Sequence, residues 1–268
     1  DTVSFNIEKM AFTEESGLKV KNWYSSNTLH PTFTSIRNLK VQTSESSLNI
    51  PEIKLSYPSW ASLKHFTDNA GLDMSFETSN LALSDVACFV PALDGLGEKV
   101  LLEGRITGRV SDLKGRNISL FYGGNTFYKG DFDFIGLPDI EETFIFFEVE
   151  DLVTTVKDIE SLDLPGNKRS IVLPENFLQL GMIRYQGNFT GFVNDFVAYG
   201  NLRTELGDLS LDLSFRPDSA NLFSYEGAFQ TNSFGLGRLT STGEYLGNIS
   251  VSANLEGTSL GGRRFRAK

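Results

Sequence analysis

Leu209-Ser210-Leu211-Asp212-Leu213-Ser214-Phe215-Arg216 alternates apolar with polar residues from end to end. Successive side chains of an extended strand leave on opposite faces. The spacing therefore puts Leu209, Leu211, Leu213 and Phe215 on one face and Ser210, Asp212, Ser214 and Arg216 on the other. This predicts a strand with one dry and one wet side. The same period recurs in Val3/Phe5/Ile7, Leu72/Met74/Phe76, Ile118/Leu120/Tyr122, Ile145/Phe147/Val149 and Ile249/Val251/Ala253/Leu255. One wet face per strand favours antiparallel pairing over a parallel sheet buried on both sides. Between these runs stand short turn sequences such as Glu15-Ser16-Gly17, Tyr122-Gly123-Gly124-Asn125, Leu206-Gly207-Asp208 and Arg216-Pro217-Asp218. Turn signals about every ten residues predict hairpins and meanders, on the order of 20 strands in all.

Helical signals are few and short. They fall at Trp60 to Phe66 after Pro58-Ser59, at Asp85 to Val90 with Ser84 as N-cap and Pro91 as stop, at Thr155 to Ile159, and at Glu175 to Gln179 after Pro174. Phe234-Gly235-Leu236-Gly237-Arg238-Leu239 contains Gly-x-Gly but lacks the strand-turn-helix context of a phosphate loop, and it reads as a strand with a bulge. A weak internal repeat pairs Glu103-Gly104-Arg105-Ile106-Thr107-Gly108 with Gln186-Gly187-Asn188-Phe189-Thr190-Gly191. Asp112-Leu113 and Asp195-Phe196 follow at matching distance, so the repeated units span about residues 102–140 and 185–216.

The chain has 268 residues with 34 acidic against 24 basic side chains, a formal charge of −10. That balance argues against nucleic acid as a partner, because phosphate neutralisation needs a basic face. A single thiol, Cys88, excludes an intramolecular disulfide and a thiolate metal cluster. The longest apolar stretches, such as Phe144 to Phe147, fall far short of the ~18 residues that cross a bilayer. An opening on Asp1 and an end in the basic run Arg263 to Lys268 read as a mature product or an excised piece of something longer.

Catalytic chemistry finds little material. The chain holds two histidines: His30 precedes a proline in a polar turn, and His65 lies on a short helical segment. Glu141-Glu142 and the pair Glu148 and Glu150 allow a carboxylate dyad to be written down, yet alternation assigns Glu148 and Glu150 to the wet face of a strand whose dry face is Ile145, Phe147 and Val149. The reading is non-enzymatic, with no cofactor and no metal.

What remains is the apolar alternation, which serves two architectures: two sheets closed on each other as a sandwich, or one long sheet curled so that its apolar face lines a groove. A sandwich would make an adhesin or carbohydrate-binding module, with Trp23, Tyr24 or Trp60 as a sugar platform. A groove would leave room for a foreign apolar molecule.

Several short motifs bear on that choice. Leu113-Lys114-Gly115-Arg116-Asn117-Ile118-Ser119-Leu120-Phe121-Tyr122-Gly123, Gly130-Asp131-Phe132, Gly136-Leu137-Pro138-Asp139-Ile140, Leu173-Pro174-Glu175-Asn176 and Asp195-Phe196-Val197-Ala198-Tyr199-Gly200 together resemble the Bacteroidetes branch of the TamB-like translocation and assembly module family, within the AsmA-like superfamily. Leu55-Ser56-Tyr57-Pro58-Ser59-Trp60 and Phe89-Val90-Pro91-Ala92-Leu93 are similar too. The resemblance covers nearly the whole chain and carries over no catalytic residue. It implies an all-β, elongated, mostly antiparallel curled sheet with a few short helices, forming one segment (1–268) of a much longer periplasmic protein anchored in the inner membrane. The implied partners are phospholipid acyl chains and, through the full-length chain, an Omp85-type (BamA/TamA-like) outer-membrane protein. Membrane contact would come only through flanking segments. The implied role is phospholipid transport between inner and outer membranes, together with outer-membrane protein assembly. The residues expected to face lipid are Phe5, Ile7, Leu72, Met74, Phe76, Ile118, Leu120, Ile145, Phe147, Val149, Leu209, Leu211, Leu213, Phe215, Ile249, Val251 and Leu255.

Overall fold

The computed structural model describes residues 1–15, 17–88, 99–161, 173–219, 222–242, 245–260 and 264–267. Fifteen strands form one sheet in which spatial order equals chain order. They are β1 (Val3–Thr13), β2 (Lys19–His30), β3 (Phe33–Gln42), β4 (Ser47–Ser56), β5 (Gly71–Ala82), β6 (Lys99–Arg109), β7 (Asp112–Tyr122) and β8 (Thr126–Ile135) in the first half. β9 (Phe144–Thr155), β10 (Met182–Phe192), β11 (Asp195–Thr204), β12 (Gly207–Ser219), β13 (Leu222–Phe234), β14 (Ile249–Leu260) and β15 (Arg264–Ala267) follow. Neighbours are antiparallel throughout, and β1 and β15 do not meet, so the sheet is curled but unclosed.

The alternation predicted for β12 holds residue by residue. Leu213 faces Ala198 on one side and Gly227 on the other, and no residue is skipped between Phe215 and Leu209. The count of strands is lower than the turn spacing predicted. Strands of 10 to 13 residues from β1 to β14, and helical connections in place of some tight turns, use up the chain sooner. A two-sheet sandwich does not form, because no strand leaves its sequence neighbours. A compact globule of 29.7 kDa would expose about 11,600 Å², whereas this chain exposes 16336 Å². The excess is what a single open layer produces.

Alternation survives along strands of this length because bulges correct it. Asn38, Asn117 and Ser233 have φ of 53°, 52° and 61°, a left-handed backbone that Asn tolerates better than most residues. Each sits at a shift in register. Ile36 and Leu39 are three apart yet belong to one apolar cluster with Ile50 and Ile53. Gly115 and Ile118 likewise pair with Phe132 and Gly130, which are two apart and share a face. Each bulge inserts the residue that keeps the apolar side pointing one way.

Since every connection joins neighbours, turns alternate between two long rims. The rim holding the β1–β2 turn also carries α2 (Leu83–Ala87), α3 (Val156–Glu160) with the 3-10 helix Glu175–Leu180, and α4 (Leu236–Leu239). These occur at every second connection on that rim, that is, every four strands. Val156, Leu180, Ile183, Leu206 and Phe234 form a buried cluster there, with Phe177, Leu236 and Leu239 packed on it. The opposite rim has mostly tight turns, plus the 3-10 helix Trp60–His65 continuing into α1 (Phe66–Asn69).

Two expectations need correction. The segment at Asp85 starts two residues earlier, at Leu83, with Ala82 and not Ser84 as N-cap, because Ala82 ends β5 in an extended conformation that leads straight into the helix. Phe89, Val90 and Pro91, with the rest of the Phe89 to Leu93 motif, lie outside the described residues. Phe234 to Leu239 is not a bulged strand: β13 stops at Phe234, and α4 follows, its Thr240 amide bonding to the Leu236 carbonyl. The α3 helix is capped by Thr155, whose hydroxyl accepts from the Asp158 amide at 3.2 Å.

The two paired stretches share one feature at their second glycine. Gly108 (φ 105°) and Gly191 (φ 136°) both end a strand in the left-handed region. A β-carbon on Gly108 would lie 2.1 Å from the Asp112 carbonyl oxygen, and one on Gly191 would lie 2.3 Å from that of Asp195. The hairpin closes too tightly for any side chain but hydrogen.

Candidate functional site

One row of directly opposed residues crosses fourteen strands. Leu213 faces Ala198, which faces Phe189, Phe147 and Phe132 in turn. Through Gly115 the row continues to Ile106, Met74, Ile53 and Ile36. It ends at Asn27 and Phe5 on one side and at Gly227 and Leu255 on the other. Opposed residues share a face, so this row fixes the apolar side of the entire sheet. All seventeen residues expected to face lipid lie on it. Phe5, Met74, Phe147, Leu213 and Leu255 stand in the row itself. The rest lie on the same face along their strands, Ile118 and Leu120 beyond the Asn117 bulge and Ile249 opposite Phe234.

Ile118, Ile145 and Val149 are buried and Phe5 is exposed; the remaining thirteen are half-buried. Along β11 exposure alternates strictly, with Phe196, Ala198, Gly200 and Leu202 half-buried and their neighbours exposed. With no second sheet over it among the described residues, this face is shielded by its own side chains and by the curl, which makes it the inner wall.

From β8 to β13 the wall is paved with phenylalanine. Ring centroids lie 6.3 Å apart for Phe132 and Phe147, 6.4 Å for Phe147 and Phe189, 4.8 Å for Phe189 and Phe196, 5.4 Å for Phe196 and Phe215, and 5.0 Å for Phe215 and Phe223. The last three pairs are stacked, and the chain of rings runs across the strands, along the trough. From β3 to β7 the same face is mainly Ile, Leu, Val and Met. Polar side chains stand on it too, Thr34 on β3 and Ser79 on β5 among them, and on β2 the Trp23 indole donates to the Ser25 hydroxyl at 2.7 Å, while the Asn27 amide donates to the same oxygen at 2.9 Å. Ser25 and Asn27 are buried, and their mutual bonds satisfy them.

A feature the sequence reading passed over is Tyr-x-Gly-x-Phe, which occurs as Tyr128 to Phe132, Tyr185 to Phe189 and Tyr225 to Phe229. In the first two the tyrosine lies along its own strand over the glycine, and its hydroxyl donates to the carbonyl three residues on, Asp131 at 3.0 Å and Asn188 at 3.3 Å. A β-carbon on Gly187 would sit 2.7 Å from the Tyr185 hydroxyl, so the glycine is what lets the ring lie flat. Burial pushes the ionisation of both phenols up. The wall thereby gains two rings whose polar ends point into backbone.

The outer wall carries the charge. Arg105 binds Asp73 through two bonds of 2.8 and 2.7 Å, and Arg184 binds Asp151 through two of 2.6 Å. These guanidinium hydrogen bonds hold both carboxyls below their ordinary range. Lys129 pairs with Glu150, and Arg116 with Asp133. Glu148 and Glu150 thus stand on the face opposite Phe147 and Val149, and Glu150 is engaged in an ion pair. His30 stacks on Phe33 at 4.7 Å and His65 is exposed on the rim with the tight turns.

The aromatic residues considered for a sugar platform are not brought together. Trp23 is on the inner wall, its chain neighbour Tyr24 is on the outer one, and Trp60 packs at a tilt against Tyr57 in the β4–β5 connection. Among the described residues no helix is long and apolar enough to cross a membrane. No family model, curated protein or solved structure matches the chain.

Proposed function

We propose that this chain is a non-enzymatic segment of a lipid conduit, an open trough whose inner wall receives acyl chains while head groups stay in water at the mouth. The observation that carries the reading is the predominantly apolar row from Phe5 to Leu255, broken by Asn27 on β2, with no second sheet over it among the described residues. Apolar area left half-exposed on this scale is unfavourable in water and favourable against hydrocarbon. At about 0.8 kcal/mol per buried methylene, a 16-carbon chain fully withdrawn from water gains on the order of 12 kcal/mol, an upper bound. A paving of similar rings gives similar energy at each step, which permits sliding. The resemblance to TamB-like proteins supports the same reading. On that resemblance the segment would belong to the periplasm of a Gram-negative envelope, in a longer chain anchored in the inner membrane and directed at an Omp85-type partner, serving phospholipid transport and outer-membrane protein assembly. The sugar-binding alternative loses its support where the closed core and the aromatic platform it requires do not form.

Native mass spectrometry after gentle purification tests this. Phospholipid should accompany the wild-type chain and be lost from Leu211→Glu/Leu213→Glu, which places two carboxylates on the inner wall. A wild-type chain free of lipid, or a variant that retains it, overturns the proposal.

A further inference from the structure

The inner wall is not uniform across its width. From β8 to β11 a row of small residues, Gly130, Val149, Gly187 and Gly200, opposed strand to strand, runs down the middle of the face. On its helical-rim side the wall is already covered. Ile183, Leu202 and Leu209 pack in one apolar cluster with Phe177 of the 3-10 helix and Leu239 of α4. Two backbone bonds fix that cover in place, the Glu205 amide donating to the Leu180 carbonyl at 3.0 Å and the Gly235 amide to the Leu206 carbonyl at 2.7 Å. On the other side, Phe132, Phe147, Phe189, Phe196 and Phe215 belong to neither buried cluster; each is half-buried among its neighbouring rings. Between β8 and β13 no helix among the described residues stands on the tight-turn rim that borders them. One half of the face is roofed and the other is open.

We propose that hydrocarbon occupies only the open half, entering over the tight-turn rim and lying along the phenylalanine lane, while the helical rim stays sealed by the protein's own side chains. This rests on the conduit reading and says where in the trough the conduit lies. From β8 to β12 the strand positions of the lane are Phe, Ile, Leu, Ala and Gly, with no side chain that could donate or accept a hydrogen bond. The backbone groups beneath them are engaged in ladders on both sides of every strand. A polypeptide laid on the lane would bury its own N–H and C=O groups without partners, which is unfavourable. A methylene chain has no such groups and gains by leaving water. Within the single strand β12 the two halves separate: Leu209 lies under the helices and outside the lipid path, whereas Phe215, at the other end, lies in it.

The experiment is photocrosslinking on the full chain. Single Phe→benzoylphenylalanine exchanges are made at Phe196 and Phe215 in the lane and at Phe177 and Phe234 on the roofed side. Each purified variant is irradiated with phosphatidylethanolamine vesicles carrying a tritiated oleoyl chain. Every exchange keeps an aromatic ring, and a urea midpoint matching the wild type confirms the fold. Phe234 is buried, and the half-buried Phe177 gives the roofed-side reading where the larger ring at Phe234 is not tolerated. Label is expected on the Phe196 and Phe215 variants and lost from the Phe177 and Phe234 variants. Label at Phe177 or Phe234 comparable to that at Phe196 overturns the inference and leaves the conduit standing, because lipid would then lie under lifted helices. Label at none of the four positions overturns the conduit reading and this inference with it. Cross-links from Phe196 or Phe215 to polypeptide in place of lipid make the lane a protein contact and equally overturn it.

Discussion

At Gly187 a methyl group would lie 2.2 Å from the carbonyl oxygen of Tyr199 and 2.6 Å from the α-carbon of Gly200, its partner across the strand pair. Backbone cannot yield there as a flexible side chain can. Gly187→Ala should therefore destabilise the chain by about 1–3 kcal/mol, read as a lowered urea midpoint. Tyr185→Phe keeps the ring over the glycines and removes the hydroxyl that donates to the Asn188 and Tyr199 carbonyls. Its cost should be smaller, about 1 kcal/mol. The three Tyr-x-Gly-x-Phe runs were visible as letters, but they acquire meaning only once the carbonyl three residues on is known to lie within reach. The apolar residues were legible for the opposite reason: alternation in Leu209 to Phe215 states its own geometry.

Among the elements, the rim helices reach sideways. Asp85 of α2 accepts from the hydroxyls of Thr43 and Ser46 at 2.6 and 2.5 Å, fastening the β3–β4 turn. Asp158 of α3 does the same for the β7–β8 turn, accepting from the Asn125 amide and the Thr126 hydroxyl at 3.0 Å each. Each helix thus clamps the turn two strands before its own strand pair begins. Asp158→Ala should cost roughly 1–3 kcal/mol, since bonds to a charged acceptor exceed neutral ones. Amide exchange should rise locally around residues 123–126. Helix positions other than that of α4, where Gly-x-Gly reads as a bulged strand, were legible in the sequence to within a few residues. Their clamps were not, because a carboxylate and the turn it holds lie far apart in the chain. The bulges at Asn38, Asn117 and Ser233 escaped for a related reason: a strict period of two reads straight through them.

Across the whole molecule, the sequence could say all-β and could not choose between sandwich and open sheet, because alternation records only that one face is dry. The choice follows from which strand pairs with which, and local pattern carries no such information. The charged outer wall has a pH consequence. Asp73 and Asp151 ionise below their ordinary value of 3.8 in the folded chain. Their contribution is complete above the unfolded value and is lost as pH falls through the depressed one. The urea midpoint should hold steady down to about pH 5 and decline below about pH 4. Asp151→Asn should flatten part of that decline, and the effect should be modest, because its partner Arg184 keeps 51% of its side chain in water and the pair is screened.

A sheet whose strands touch only their chain neighbours is built like a zip fastener. Damage at one tooth is felt by the teeth beside it and by few others, so cooperativity should fade with distance along the chain. Cutting the row at β9 would leave two shorter zips with separate melting behaviour, where a globule would fail as a unit. The same construction can gain or lose a hairpin without redesign of the remainder, so length is the property most freely varied in such a molecule.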